Sequence, residues 1–129
     1  MEKKITIVAA LLGCIAIILG AFGAHKLKEM LLPEQLTSFE VGVRYQMYHA
    51  LFLLLIVNNT LLNIKEKTII FYLTLVGVLF FSGSIYILST ASITGVKTKF
   101  LGPITPVGGL FLISSWLFLL YAVIVKKSI

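Results

Sequence analysis

Apolar residues in this chain gather into four long runs, each free of Asp, Glu, Lys and Arg: residues 5–24, 45–62, 68–89 and 106–125. In hydrocarbon only helices or a closed barrel satisfy the backbone, and continuous runs without two-residue alternation select helices. At about 1.5 Å per residue, each run reaches roughly 27–33 Å, the thickness of a bilayer core. The pattern predicts an all-α integral membrane four-helix bundle forming a single transmembrane domain over residues 1–129.

The polar breaks set the connections. Asn63-Ile64-Lys65-Glu66-Lys67 reads as a short hairpin between helices 2 and 3, whereas His25 to Arg44 is long enough for an interfacial segment around Pro33. Thr37-Ser38-Phe39-Glu40 has the form of a capping box, which starts the second helix near Ser38 and leaves Glu40 and Arg44 as an i,i+4 ion pair at its mouth. Thr105-Pro106 reads as an N-cap followed by proline in the first helical position.

Composition closes off the soluble classes. Mean hydropathy is +1.05 and 12% of the 129 residues are charged, where a soluble domain carries roughly a quarter. The net charge of +6 does not point to nucleic acid, because no soluble basic face is left to bind it. The start, Met1-Glu2-Lys3-Lys4 and an apolar run, has signal-peptide character, and Leu11-Leu12-Gly13-Cys14 resembles a lipoprotein box. The run continues past Cys14 to Ala24, beyond the roughly 7–15 residues of a signal core, so it is expected to persist as the first span. Cys14 is the one cysteine, which excludes an intrachain disulfide.

Lysine placement orients the chain. Lys3, Lys4, Lys65, Lys67, Lys126 and Lys127 share one side, against Lys26, Lys28, Arg44, Lys97 and Lys99 on the other, which predicts cytoplasmic termini in the cell (inner or plasma) membrane. Within the spans, Gly13, Ala16, Gly20 and Ala24 form a small-residue face, and Gly77, Gly83, Gly108 and Gly109 also permit close helix approach. That face serves either packing within the bundle or contact between copies.

Alternating helix direction brings the unusual polar residues to one end. His25 closes the first span; Arg44, Tyr45, Gln46, Tyr48 and His49 open the second; Ser82, Ser84 and Tyr86 lie near the end of the third; Thr105 opens the fourth. Together they outline a polar, basic-rimmed recess on the side away from the termini. Each also has a structural explanation: His49 bonded to a neighbouring helix, the serines joining helices, Trp116 packing in mid-span. His25 and His49 lack a third ligand at metal-site spacing, and a serine nucleophile has no base except these histidines. No catalytic residue, metal site or cofactor is expected.

Gly20-Ala21-Phe22-Gly23-Ala24-His25, Tyr45-Gln46-Met47-Tyr48-His49, Phe81-Ser82-Gly83-Ser84-Ile85-Tyr86 and Gly102-Pro103-Ile104-Thr105-Pro106-Val107-Gly108-Gly109, with Trp116, together resemble one group. It is the domain of unknown function 423 family, small YgdD/YwdK-like bacterial inner-membrane proteins with transmembrane 256-like relatives. Pro103 and Ser115 stand where that pattern often has a small residue and a glycine. The resemblance implies a four-helix membrane protein and no established activity.

The expected function is structural: a homo-oligomer or an accessory subunit of a larger membrane complex, surrounded by membrane lipids. The alternative is a transporter or lipid-binding protein whose recess takes an anionic headgroup or small anion.

Overall fold

The computed structural model describes residues 1–126. Lys127, counted above with the lysines on the side of the termini, lies outside the described residues. Among the described residues there are four long helices, and three of them (Glu2–Met30, Ile64–Thr94 and Ile104–Ile124) are long and apolar enough to cross a membrane. We label the four α1 (Glu2–Met30), α2 (Pro33–Val57), α3 (Ile64–Thr94) and α4 (Ile104–Ile124). The element outside that set of three is α2, whose first half carries Glu34, Glu40 and Arg44, with Gln46 and His49 following.

Helix α1 outruns its expected end. A π turn over Gly23–Leu27 widens the ladder, and one more α turn, Lys28–Met30, completes it. The chain breaks only at Leu31 and Leu32, both extended, and α2 begins at Pro33. This corrects the predicted start near Ser38. Proline is preorganised for the first helical position, and the Gln35 side-chain oxygen accepts the Leu32 N–H at 2.9 Å, so the helix is already under way at Thr37, whose hydroxyl bonds the Pro33 carbonyl. Glu40 and Arg44 lie within the helix and do not pair with each other.

The other end of α2 shifts the same way. It stops at Val57, not Leu62, because the Asn59 side chain accepts the Leu61 N–H at 2.9 Å and turns the chain there. Leu62 then packs as a buried loop residue among Phe52, Ile56 and Ile70. A reciprocal box opens α3: Asn63 Oδ1 accepts from the Glu66 N–H at 2.8 Å, and Glu66 accepts from the Asn63 N–H at 3.0 Å. Gly95, at φ +72°, ends α3 in the left-handed region. Helix α4 starts at Ile104 after Pro103, so Thr105 and Pro106 sit inside its first turn. Thr105 is therefore not the cap expected of it, and its hydroxyl is free for α3.

Neighbouring helices run antiparallel. Along α1 and α2, Gly13 lies against Met47 and Ala50, Gly20 against Val43, and Gly23 against Phe39. Along α3 and α4, Gly77 lies against Leu112 and Gly108 against Phe81. Helices α2 and α3 form the central pair, with Ile5, Ala9 and Leu12 of α1 and Leu112 of α4 completing the core around Leu53, Phe71 and Val78. The small residues of α1 thus serve packing within the chain: Ala16 is buried and Gly13 and Gly20 meet α2, although Ala24 is exposed. Gly83 has nothing within reach of an added Cβ, which corrects its expected packing role, while Gly109 only touches the Phe81 ring.

Charged groups fasten the end that carries the termini. Buried Lys67 donates to Glu2 at 3.3 Å and to the Val57 carbonyl at 2.7 Å; Lys4 donates to the Tyr72 hydroxyl, and Lys126 pairs with Glu66. The Lys126 ammonium, and then the Asn63 N–H, hold the Glu66 carboxyl below its ordinary 4.5. A depressed carboxyl stabilises the fold above its unfolded pKa, and that stabilisation fades as pH falls through the lower folded value. Acid titration in detergent should therefore lower the melting midpoint of the natural chain below about pH 4.5 more than that of Glu66→Gln. Equal losses would remove Glu66 from the explanation.

One buried polar atom stands alone among the described residues. The Thr74 hydroxyl, fully buried in α3, has no hydrogen-bond partner. Thr74→Val removes an unsatisfied group and should raise stability by about 1 kcal/mol in denaturant titration. A decrease would show that the hydroxyl is bonded.

Candidate functional site

The polar residues of α2, α3 and α4 run from the end away from the termini, where Ser84 meets Thr105, to past the middle of the molecule, where His49 meets Trp116, and they meet as bonded pairs. Gln46 is 4% exposed, its Nε2 donating to the Leu12 carbonyl of α1 at 2.8 Å while its Oε1 accepts from the Tyr86 hydroxyl of α3 at 2.7 Å. One amide ties three helices. Gly42 makes room for this, since a Cβ there would lie 2.8 Å from the Tyr86 ring. The Gly42 carbonyl in turn accepts from buried Ser82 at 2.7 Å.

His49 joins α2 to α4. Its Nδ1 lies 2.7 Å from the Tyr45 carbonyl and its Nε2 lies 3.0 Å from Trp116 Nε1. A carbonyl can only accept and an indole N–H can only donate, so both contacts are satisfied by the neutral imidazole with its proton on Nδ1. Trp116 also stacks on Phe52, ring centroids 4.1 Å apart. Ser84 and Thr105 bond hydroxyl to hydroxyl across α3 and α4, and Ser84 donates onward to the Phe81 carbonyl.

The remaining candidates face outward. His25 is exposed on the π turn, where Ala24, His25, Lys26, Lys28 and Glu29 line an open hollow of about 550 Å³. Arg44 and Tyr48 are exposed on α2, and Tyr45 is 40% exposed at the edge of the His49 pair. The expected recess is thus divided. Gln46, His49, Ser82 and Ser84 are bonded within the bundle; His49 also borders an apolar pocket of about 290 Å³ with Tyr45, Phe81 and Trp116, which no lysine or arginine lines. A second hollow of about 520 Å³ does open at this end, between the start of α2, the end of α3 and the start of α4. Its lining includes Glu34, Gln35, Ser38, Ser89 and Thr105 and none of the basic residues.

The sequence places Tyr86 in the recess but not Trp116 or Gly42. Tyr86 follows Ser82 by one helical turn, a spacing that places both on the face met by Gly42 and Gln46. Trp116 carries an N–H that needs an acceptor when it packs against other helices, and His49 supplies it. Gly42 carried no such signal, because its role depends on where the Tyr86 ring goes.

Comparison with known proteins gives a consistent picture. A family model described as "Protein of unknown function (DUF423)" matches residues 19–109, which include Gln46, His49, Ser82 and Ser84, while two of their partners, Leu12 and Trp116, lie outside the match. UPF0382 membrane protein SH2409 of Staphylococcus haemolyticus is 40% identical over 92% of this chain and 93% of its own length. UPF0382 membrane protein YwdK of Bacillus subtilis is 38% identical over 95% and 97%, and a UPF0382 membrane protein of Haemophilus influenzae 32% identical over the whole of both chains. No solved structure matches.

Proposed function

Because the chain belongs to the DUF423 family of membrane proteins of unknown function, we propose that it acts through protein contacts in the cell membrane, as a homo-oligomer or as an accessory subunit of a larger assembly, without catalysis of its own. All four helices cross the bilayer, α2 included, with both termini cytoplasmic.

The observation that carries this reading is the hydrogen bonding of Gln46, His49, Ser82 and Ser84 to neighbouring groups of the same chain. Transport needs polar groups free to exchange partners along a path, and these are engaged in holding helices together. Reconstitution in liposomes, alongside gentle affinity purification, tests it. The expected result is no flux of protons, chloride or phosphate and a species larger than one chain. Flux that vanishes in Gln46→Ala, from a protein that remains a folded monomer, would overturn it.

Recognition of an anionic headgroup is favoured at a different place from the one expected. His25, Lys26 and Lys28 surround the hollow on the π turn of α1, at the level where a lipid phosphate sits. The other hollow carries Glu34 and no basic residue, whereas here Glu29 stands against two lysines and a histidine. Replacing His25, Lys26 and Lys28 together by glutamine should reduce phosphatidylglycerol retention; unchanged retention would dismiss this second role.

A further inference from the structure

The shift of α2 toward the N-terminus places two charges at hydrocarbon depth. With α2 read as crossing the bilayer, as proposed above, the charged pair Lys67–Glu2, whose ammonium also donates to the Val57 carbonyl, marks the polar boundary near the end of α2. Arg44 lies thirteen residues before Val57 and Glu40 seventeen, or about 20 and 25 Å into a core about 30 Å thick. The neighbouring helix agrees: Val43 stands against Gly20, inside the uncharged stretch of α1 that ends at Ala24.

Both side chains are exposed, one turn apart, on the strip of α2 that continues through Tyr48, Leu51 and Leu55. Neither belongs to an ion pair among the described residues. Closer to the middle of the bundle the outward faces are apolar, with Ile17 and Ile18 on α1 and Leu110 and Ile113 on α4. Lipid tails suit those faces. An exposed guanidinium and carboxylate do not match hydrocarbon, and charges at such depth are expected to meet a partner.

We propose that this strip of α2 is the contact between two copies of the chain, related by a two-fold axis along the membrane normal, with Arg44 of each copy binding Glu40 of the other. Copies inserted with the same orientation hold their α2 helices parallel and at equal height. One acid and one base on a single face are then self-complementary across the axis. Helical side chains lean toward the N-terminus, which carries each guanidinium toward the level of the opposing carboxylate, where a two-pronged pair forms. Tyr48, Leu51 and Leu55 continue the seam toward the cytoplasmic side. The inference rests on the interaction reading above and names its partner as a second copy.

Charge exchange between differently tagged chains tests it. In lipid nanodiscs the natural protein should be a dimer, whereas Glu40→Arg alone and Arg44→Glu alone should be folded helical monomers that melt no higher than the dimer. Co-expressed, the two variants should recover a dimer containing one of each, because an all-basic strip then faces an all-acidic one. A pair formed only within each chain predicts no such preference. In a Cys14→Ser background, Leu51→Cys should cross-link between copies and Ile17→Cys should not. Dimers that persist in both single variants would overturn the proposal, as would failure of the mixed pair to associate. A single copy bound to a different protein would also overturn it while leaving the interaction reading standing. A natural chain that is monomeric and partnerless would end both.

Discussion

Gly108→Ala should cost about 3 kcal/mol of unfolding free energy, the upper part of the range for overpacking, measured by denaturant titration in bicelles. An added Cβ would lie 2.3 Å from the Phe81 nitrogen and 2.7 Å from the Phe80 carbonyl carbon. These are backbone atoms of α3, which no rotamer change can move aside. The helices must separate, and separation loosens the Ser84–Thr105 bond and the Gly77–Leu112 contact together. Gly83→Ala is the control on the same helix pair. Its Cβ meets nothing, so the better helix propensity of alanine should leave stability unchanged or raise it by about 0.5–1 kcal/mol. Equal losses in the two variants would contradict the packing described for α3 and α4.

The second large effect is expected at Gln46. Gln46→Leu retains the volume and removes both bonds, leaving the Tyr86 hydroxyl without its acceptor inside the bundle. A buried group so orphaned costs about 1–3 kcal/mol, and we expect a loss of about 2 kcal/mol. Tyr86→Phe removes the other partner and should cost less. Adding Tyr86→Phe to Gln46→Leu removes the orphan, so the double variant should be more stable than the sum of the single losses by about 0.6–1.7 kcal/mol, the span measured for interhelical bonds in membranes. Strict additivity would mean that the two side chains do not interact.

These positions show how far the chain can be read without coordinates. Four apolar runs located four helices because solvation in lipid acts on every residue of a span. The ends of α2 were misplaced because local bonds decided them. Gln35 reaching back to Leu32 outweighed the Thr37 to Glu40 pattern, and Asn59 ended the helix although apolar residues followed. Depth gathered the polar residues only in part: Ser84 and Thr105 lie toward the end away from the termini, but with α2 starting at Pro33, Gln46 and His49 fall past its midpoint. What depth cannot supply is rotation about the helix axis. Arg44, Tyr45 and Gln46 are consecutive, yet Arg44 is exposed, Tyr45 lies at an edge and Gln46 is buried. A recess inferred from depth thus became, on rotation, an internal hydrogen-bonded seam and an outward charged strip. The glycines divide in the same way, Gly108 and Gly77 at helix crossings and Gly83 facing open space.

The claim that the polar residues hold the bundle together is tested most directly at His49, where one proton position distinguishes a fastened side chain from a free one. Nitrogen-15 NMR of histidine-labelled protein in nanodiscs, with His25→Gln used for assignment, should show neutral His49 protonated on Nδ1, with Nε2 coupled to the Trp116 N–H and shielded from exchange with water. A His49 ring protonated on Nε2, or exchanging freely with water, would contradict it.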